Sequence, residues 1–139
     1  MQILGGEWKD CERVEWAYVH YSNVKIVPTF KTDMITASLL KYTINSWLAT
    51  KVMFMNELRE VFDASETNTP WEQFTYMLSN DKRIGDSHMQ VPGPDGHKGF
   101  GGHCFPKDTE GFLFYAEALG IDMTVLGKAV ETNKKLRDE

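Results

Sequence analysis

The chain has 139 residues, 42% of them apolar and 25% charged, with a formal net charge of −5. That is the size and make-up of one soluble globular domain able to bury its own core, and it excludes a disordered, collagen-like or low-complexity segment. The acidic balance gives no electrostatic support for nucleic acid or an anionic membrane, and no apolar run nears the roughly 18 residues of a membrane helix. Two cysteines, Cys11 and Cys104, fit a reducing, cytoplasmic compartment better than a disulfide framework.

In chain order, Met1–Gly6 predicts a short strand stopped by two glycines. Asp10–Tyr21 predicts a helix with Asp10 as a candidate N-cap and Val14, Ala17, Tyr18 and Tyr21 at helical spacing. Val24–Phe30 reads as a short extended piece, and Pro28 argues against a central strand there. From about Thr32 to Phe62 there is neither Gly nor Pro, so one long helix is expected, about 45 Å at ~1.5 Å per residue. Lys41, Asn45, Leu48, Val52, Met55 and Arg59 fall on one face of it. Leu40, Ile44, Trp47, Phe54 and Leu58 occupy the neighbouring sector. A helix apolar over most of its circumference asks to be buried, and a small domain has difficulty covering it alone. A homodimer centred on helix 32–62 is therefore expected. Thr69-Pro70-Trp71-Glu72 has the form of a capping box opening a short helix to about Leu78. Asn80–Pro106 holds six of the eleven glycines and no clear periodicity, the mark of a functional loop in a compact domain. Lys107–Leu119 predicts a helix closed by Gly120, and Asp122–Leu136 a final helix with a basic end.

The residues best suited to chemistry are in Gly99-Phe100-Gly101-Gly102-His103-Cys104-Phe105-Pro106-Lys107-Asp108. Glycines permit positive φ and close approach of backbone to a ligand. A cysteine near a helix start, with a lysine three residues on, is set up to be a nucleophile. Asp108 could hold a water or orient a base. The glycine entry and the Lys/Asp exit favour this over a buried structural cysteine. Lys41 and Asn45, one helical turn apart, suit the holding of an oxyanion; a solvated break in the apolar stripe explains them equally well. His88, His97, His103 and Cys104 match no common zinc spacing, so no metal site is expected. The four tryptophans are expected in the core or an interface.

These residues carry a family resemblance. The run GFGGHCFPKD resembles the nucleophile loop of the nucleotide-sugar 6-dehydrogenases, the UDP-glucose and GDP-mannose dehydrogenase family. Leu40-Lys41-Tyr42-Thr43-Ile44-Asn45, Ala49-Thr50-Lys51 and Asn56-Glu57 resemble its central-helix pattern, and Asp81-Lys82-Arg83-Ile84-Gly85 its Arg-Ile-Gly segment. The resemblance covers residues 32–136 in order. It implies a mostly α fold: a long central helix with shorter packed helices, like the C-terminal domain of 6-phosphogluconate dehydrogenase. It also implies two oxidations of a sugar C6 alcohol to a uronate, with NAD as cofactor, and dimerisation through the long helix. On that basis Cys104 is the nucleophile, passing through a thiohemiacetal and a thioester. Lys41 and Asn45 contact substrate and stabilise negative charge, and Asp108 assists the hydrolytic water. Arg83 reaches the nucleotide-sugar across the dimer, and Gly99, Phe100, Gly101 and Gly102 line the sugar. Cys104 and Lys107 lie along the nicotinamide.

The departures are specific. No G-x-G-x-x-G follows a strand and opens a helix, so residues 1–30 are expected to be the end of a Rossmann-type domain and 31–139 the central, dimerising domain. Ser38 stands where the family has a glutamate, His103 where a small residue is usual, and Val91–His97 lengthens the loop before the nucleophile. Lys98 receives no role. Three readings follow. One is a dehydrogenase part completed by a separate NAD-binding chain. The second is a non-catalytic module pairing with a full-length dehydrogenase. The third is a free cysteine enzyme such as a thioesterase.

Overall fold

The computed structural model describes residues 1–23 and 27–137. Among them the elements run β1 (Gln2–Gly5), α1 (Trp8–Tyr21), β2 (Thr29–Thr32), α2 (Met34–Ala64), α3 (Trp71–Ser79), α4 (Cys104–Ala118) and α5 (Thr124–Arg137). The mostly helical fold class expected from sequence is the one observed. The chain forms two compact units, residues 1–44 and 45–139, and α2 contributes to both.

In the first unit β1 and β2 pair in parallel, Gln2 opposite Thr29 and Gly5 opposite Thr32. A parallel pair needs a crossover, and α1 provides it. β2 starts directly after Pro28, whose carbonyl accepts from the Gln2 N–H at 3.0 Å. The ring nitrogen of Pro28 is thus spared a ladder position. The expected extended piece at 24–30 falls partly on residues 24–26, outside the described residues. Gly5 is required here, because a Cβ at this position would lie 2.6 Å from the Ala37 Cβ. α1 begins two residues before Asp10. Its N-cap is Glu7, whose side chain makes no capping bond, so Asp10 lies in the first turn, where the dipole favours a carboxylate. Only Cys11 of α1 is buried. Val14, Ala17, Tyr18 and Tyr21, at helical spacing, are all exposed. Lys31 of β2 ties α1 down, 2.7 Å from Glu15 and 4.9 Å from the centre of the Trp8 ring.

Asp33 starts α2. Its Oδ1 accepts the Thr36 N–H at 2.9 Å and its Oδ2 the Thr36 hydroxyl at 2.7 Å. These bonds hold the Asp33 carboxyl below its usual range, as expected of an N-cap carboxylate.

The second unit is built around α2. One apolar cluster joins Ala49 and Met53 of α2 to Phe100 of the long loop and to Leu126, Ala129 and Val130 of α5. A second joins Met55 to Trp71, Met89 and Val91, with Trp71 in contact with Phe62 and Phe74. The capping box does not form: Pro70, not Thr69, takes the N-cap place, and no side chain caps α3. Gly120 ends α4 as expected, at φ +72°. Its N–H donates to the Glu117 carbonyl and that of Ile121 to the Ala116 carbonyl, both at 2.9 Å. This is the paired closure that consumes two orphan carbonyls.

One face of α2 within this unit finds no cover. Trp47, Phe54 and Val61, seven residues apart, are 66%, 61% and 62% exposed. A seven-residue spacing drifts only ~20° per step round a helix, so the three form one apolar stripe. Of the four tryptophans only Trp71 is in the core. No helix among the described residues is long and apolar enough to cross a membrane.

Candidate functional site

The site is assembled in the second unit from α2, the loop 80–103 and the first turns of α4. Cys104 is the first residue of α4, with His103 in the N-cap position, and it is exposed, whereas Cys11 is buried. The helix starts three residues earlier than expected. Pro106 does not delay it, because the first turn's N–H groups have no intrahelical partner to lose.

One turn further on, Asp108 is fully buried. Its Oδ2 accepts from Asn45 Nδ2 at 2.5 Å, and its Oδ1 accepts from Lys107 Nζ, also at 2.5 Å. A buried carboxylate needs such partners. Both oxygens are therefore engaged, and Asp108 meets the site through Asn45 and Lys107. Thr109, also buried, returns its hydroxyl to the Phe105 carbonyl at 2.8 Å. Lys41 belongs to the first unit, where its ammonium lies 5.8 Å from the Tyr42 ring centre.

The glycine loop is held from two helices. Gly99 donates its N–H to Asn56 Oδ1 at 3.1 Å, and Asn56 Nδ2 donates to the Val52 carbonyl at 2.8 Å. Asn133 of α5 takes both polar groups of Phe100: the N–H donates to Oδ1 at 2.7 Å and Nδ2 donates to the carbonyl at 3.0 Å. Arg137 Nη2 donates to the Gly99 carbonyl at 3.0 Å, while its Nη1 pairs with Asp95 at 2.7 Å. That pairing holds the Asp95 carboxyl below its usual range and ties segment 91–98 to α5. Phe100 was expected to line the sugar. Its ring is buried in the core and meets Phe105 edge-on at 6.1 Å, and its N–H and carbonyl are both taken by Asn133.

Arg83 is exposed and forks onto Asp81, with Nε to Oδ1 at 2.9 Å, which lowers the Asp81 carboxyl. Its turn is anchored from α2: Lys51 Nζ donates to the carbonyls of Ile84 and Gly85 at 3.1 and 3.3 Å. Loss of hydration pulls the Lys51 ammonium below its usual range. Lys98 reaches Glu60 at 3.2 Å. Between the loop and α5 lies a cleft of about 420 Å³, bordered by Val52, His88, Gly101, Phe105 and Arg137.

Sequence reading singled out Cys104, Asn45 and Asp108, and the structure brings Asn45 and Asp108 together. It gave no site role to Asn133 or Arg137. Lys51 and Asn56 had appeared only as parts of a motif, without a role.

A helical domain that sets an exposed cysteine on a helix start, behind a glycine loop and beside a buried carboxylate–amide pair, defines a class of central domain. The chain belongs to the UDP-glucose/GDP-mannose dehydrogenase family, whose central-domain pattern matches residues 35–135. It is 33% identical over 134 residues to a UDP-glucose 6-dehydrogenase of Rickettsia conorii, covering 96% of this chain and 29% of that protein. It is 31% identical over 107 residues to a GDP-mannose 6-dehydrogenase of Pseudomonas syringae, covering 76% and 23%. The solved structure of a UDP-glucose dehydrogenase from the hyperthermophilic archaeon Pyrobaculum islandicum matches with TM-score 0.78 at 28% identity, covering 96% of this chain and 28% of that one. The chain thus spans less than a third of the length of these relatives.

Proposed function

We propose that this chain supplies the thiol and part of the substrate-holding surface of a nucleotide-sugar 6-dehydrogenase. The observation that carries this reading is Cys104, exposed on the first turn of α4, one turn from a buried Asp108 bonded to Asn45. NAD would supply the hydride acceptor, one molecule for each of the two oxidations at sugar C6. Cys104 and Lys107 both stand exposed on that turn, which leaves this end of α4 open to a nicotinamide, while most of the dinucleotide would be held by residues other than these.

At the aldehyde level Cys104 Sγ forms a bond to C6. The carbonyl π pair moves to oxygen, which takes up the thiol proton, giving a thiohemiacetal. After the second oxidation the C6–S bond is that of a thioester. Water adds at C6, the C–S bond breaks, sulfur leaves as thiolate and regains its proton, and the uronate departs. Asn45 stabilises the negative oxygen that develops at each addition. Asn45 has a second amide hydrogen besides the one given to Asp108. Asp108 fixes the orientation of that amide and of the Lys107 ammonium, and acts on the hydrolytic water through them.

The test needs no NAD. The 6-aldehyde of UDP-glucose is expected to protect Cys104 from iodoacetamide in a saturable way, read by mass spectrometry, with unmodified UDP-glucose protecting far less. Equal protection by both compounds, or none by either, would refute the reading.

The exposed stripe of Trp47, Phe54 and Val61 supports a homodimer through α2, in which Arg83 would contact the nucleotide-sugar held by the other copy. Trp47→Glu together with Phe54→Glu is expected to turn a dimer into a monomer, because each carboxylate would lose its hydration in the interface. Sedimentation equilibrium reads this; a wild-type monomer at high concentration would count against the interface.

A further inference from the structure

We propose that Asn133 is a positioning residue for the cysteine loop, an inference that rests on the dehydrogenase reading above. Asn133 lies thirty-three positions beyond Phe100 in the chain. Nevertheless its side-chain amide does for Phe100 what a neighbouring strand would do. It accepts from the N–H at 2.7 Å and donates to the carbonyl at 3.0 Å. Asn133 is 6% exposed, so these two bonds are made away from competing water and cannot be exchanged for solvent at low cost.

The glycines show how closely the loop is pressed onto α5. A Cβ on Gly99, which has φ +73°, would lie 2.4 Å from Asn133 Oδ1. A Cβ on Gly101 would lie 2.8 Å from Arg137 Nη1. Gly102, at φ +75°, has nothing within 4 Å of such an atom. The glycines therefore divide by task. Gly99 is small so that α5 can grip the backbone; Gly102 turns the chain into α4 and leaves open space beside Cys104.

Phe100 is fixed at both ends, its ring in the core and its peptide groups on Asn133. Four residues later the chain delivers Cys104. The grip sets where the backbone of Gly101 and Gly102 stands relative to the thiol before any sugar arrives. Organisation in advance of binding is what covalent capture of an aldehyde requires, whereas alkylation of an exposed thiol by a small reagent does not.

The test uses that difference. Asn133→Leu removes both bonds at similar volume. Asn133→Asp keeps an acceptor for the Phe100 N–H but sets a carboxylate against the carbonyl. Lys128→Ala, on the solvent side of the same helix, is the control. In Asn133→Leu the concentration of UDP-glucose 6-aldehyde that half-protects Cys104 is expected to rise about tenfold or more. The iodoacetamide rate without aldehyde should change less than about twofold, because the thiol is already exposed. Asn133→Asp should fall between, Lys128→Ala should match the wild type, and buried Cys11 should stay unmodified in all of them. Should Asn133→Leu fail to fold, Asn133→Asp carries the same readout. Unchanged half-protection in a folded Asn133 variant overturns the inference, as does a parallel change in both rates, which would mark a merely structural role. Absence of protection in the wild type overturns the dehydrogenase reading and this inference with it, and is told apart by occurring before any substitution.

Discussion

Phe100→Ala should destabilise the second unit by about 3–5 kcal/mol, the usual cost of deleting a buried phenyl ring. The ring lies in the cluster with Ala49, Met53, Leu126, Ala129 and Val130, where α2, the loop and α5 meet, and no other side chain of the loop 99–102 is available to fill its place. At ~4 °C or more per kcal/mol for a unit of this size, the melting temperature should drop by roughly 12 °C or more. Differential scanning calorimetry reads this. A drop of a degree or two would mean that the ring is not part of the core. Phe100→Leu, which keeps most of the volume, should recover a large part of the loss. Because the same residue's peptide groups rest on Asn133, Phe100→Ala should also weaken capture of a sugar aldehyde at Cys104.

The second large effect belongs to Asp108. Its carboxylate is wholly enclosed and receives Asn45 and Lys107 at once. Asp108→Asn preserves the shape but turns one oxygen into an NH₂ that faces a donor. The bond from Asn45 is a charge-assisted one, for which the loss is about 1.5–3 kcal/mol. The Lys107 side chain is 65% exposed, so its share is small. Urea unfolding of Asp108→Asn should therefore show about 2 kcal/mol less stability at an unchanged denaturant slope. Asn45→Ala in the Asp108→Asn background should cost less than in the wild type, a coupling of about 0.5 kcal/mol or more. Strict additivity would show that the two side chains act independently, and Asp108 would lose its role as the amide's orienter.

Much of this architecture was legible from local pattern. The absence of Gly and Pro across Thr32–Phe62 gave the long helix to within two residues at either end, and Gly120 marked the end of α4 because only a left-handed turn closes a helix in that way. Errors arose where one local signal stood for another. Pro106 reads as a boundary, yet a proline in a first turn costs no hydrogen bond, so α4 reaches back to Cys104. Thr69 has the sequence of a cap, but Pro70 holds extended backbone at φ −62° and ψ 146° and becomes the last residue outside α3. Of the candidate site, residue types and short spacings singled out Cys104, Asn45 and Asp108. What joins them is nonlocal: Asn45 reaches Asp108 across 63 residues, Lys51 reaches Ile84 across 33, and Asn133 reaches Phe100 across 33. An asparagine on a polar helix looks like a solvated residue until the helix is packed.

The contact of Gly99 with Asn133 and of Gly101 with Arg137 also constrains how such a domain can drift. A side chain gained at position 99, where φ is +73°, collides with Asn133, whereas one gained at 101 meets only the far end of the long Arg137 side chain, which can swing aside at the expense of its own bonds. Shortening residue 133 or 137 to make room first abandons the loop's hydrogen bonds. Each order of events passes through a handicapped ancestor. At positions 99 and 133 the loop and the last helix are therefore bound by epistasis: two sites more than thirty residues apart in the gene whose changes are coupled, and that a recombination point between them would separate at a cost to both.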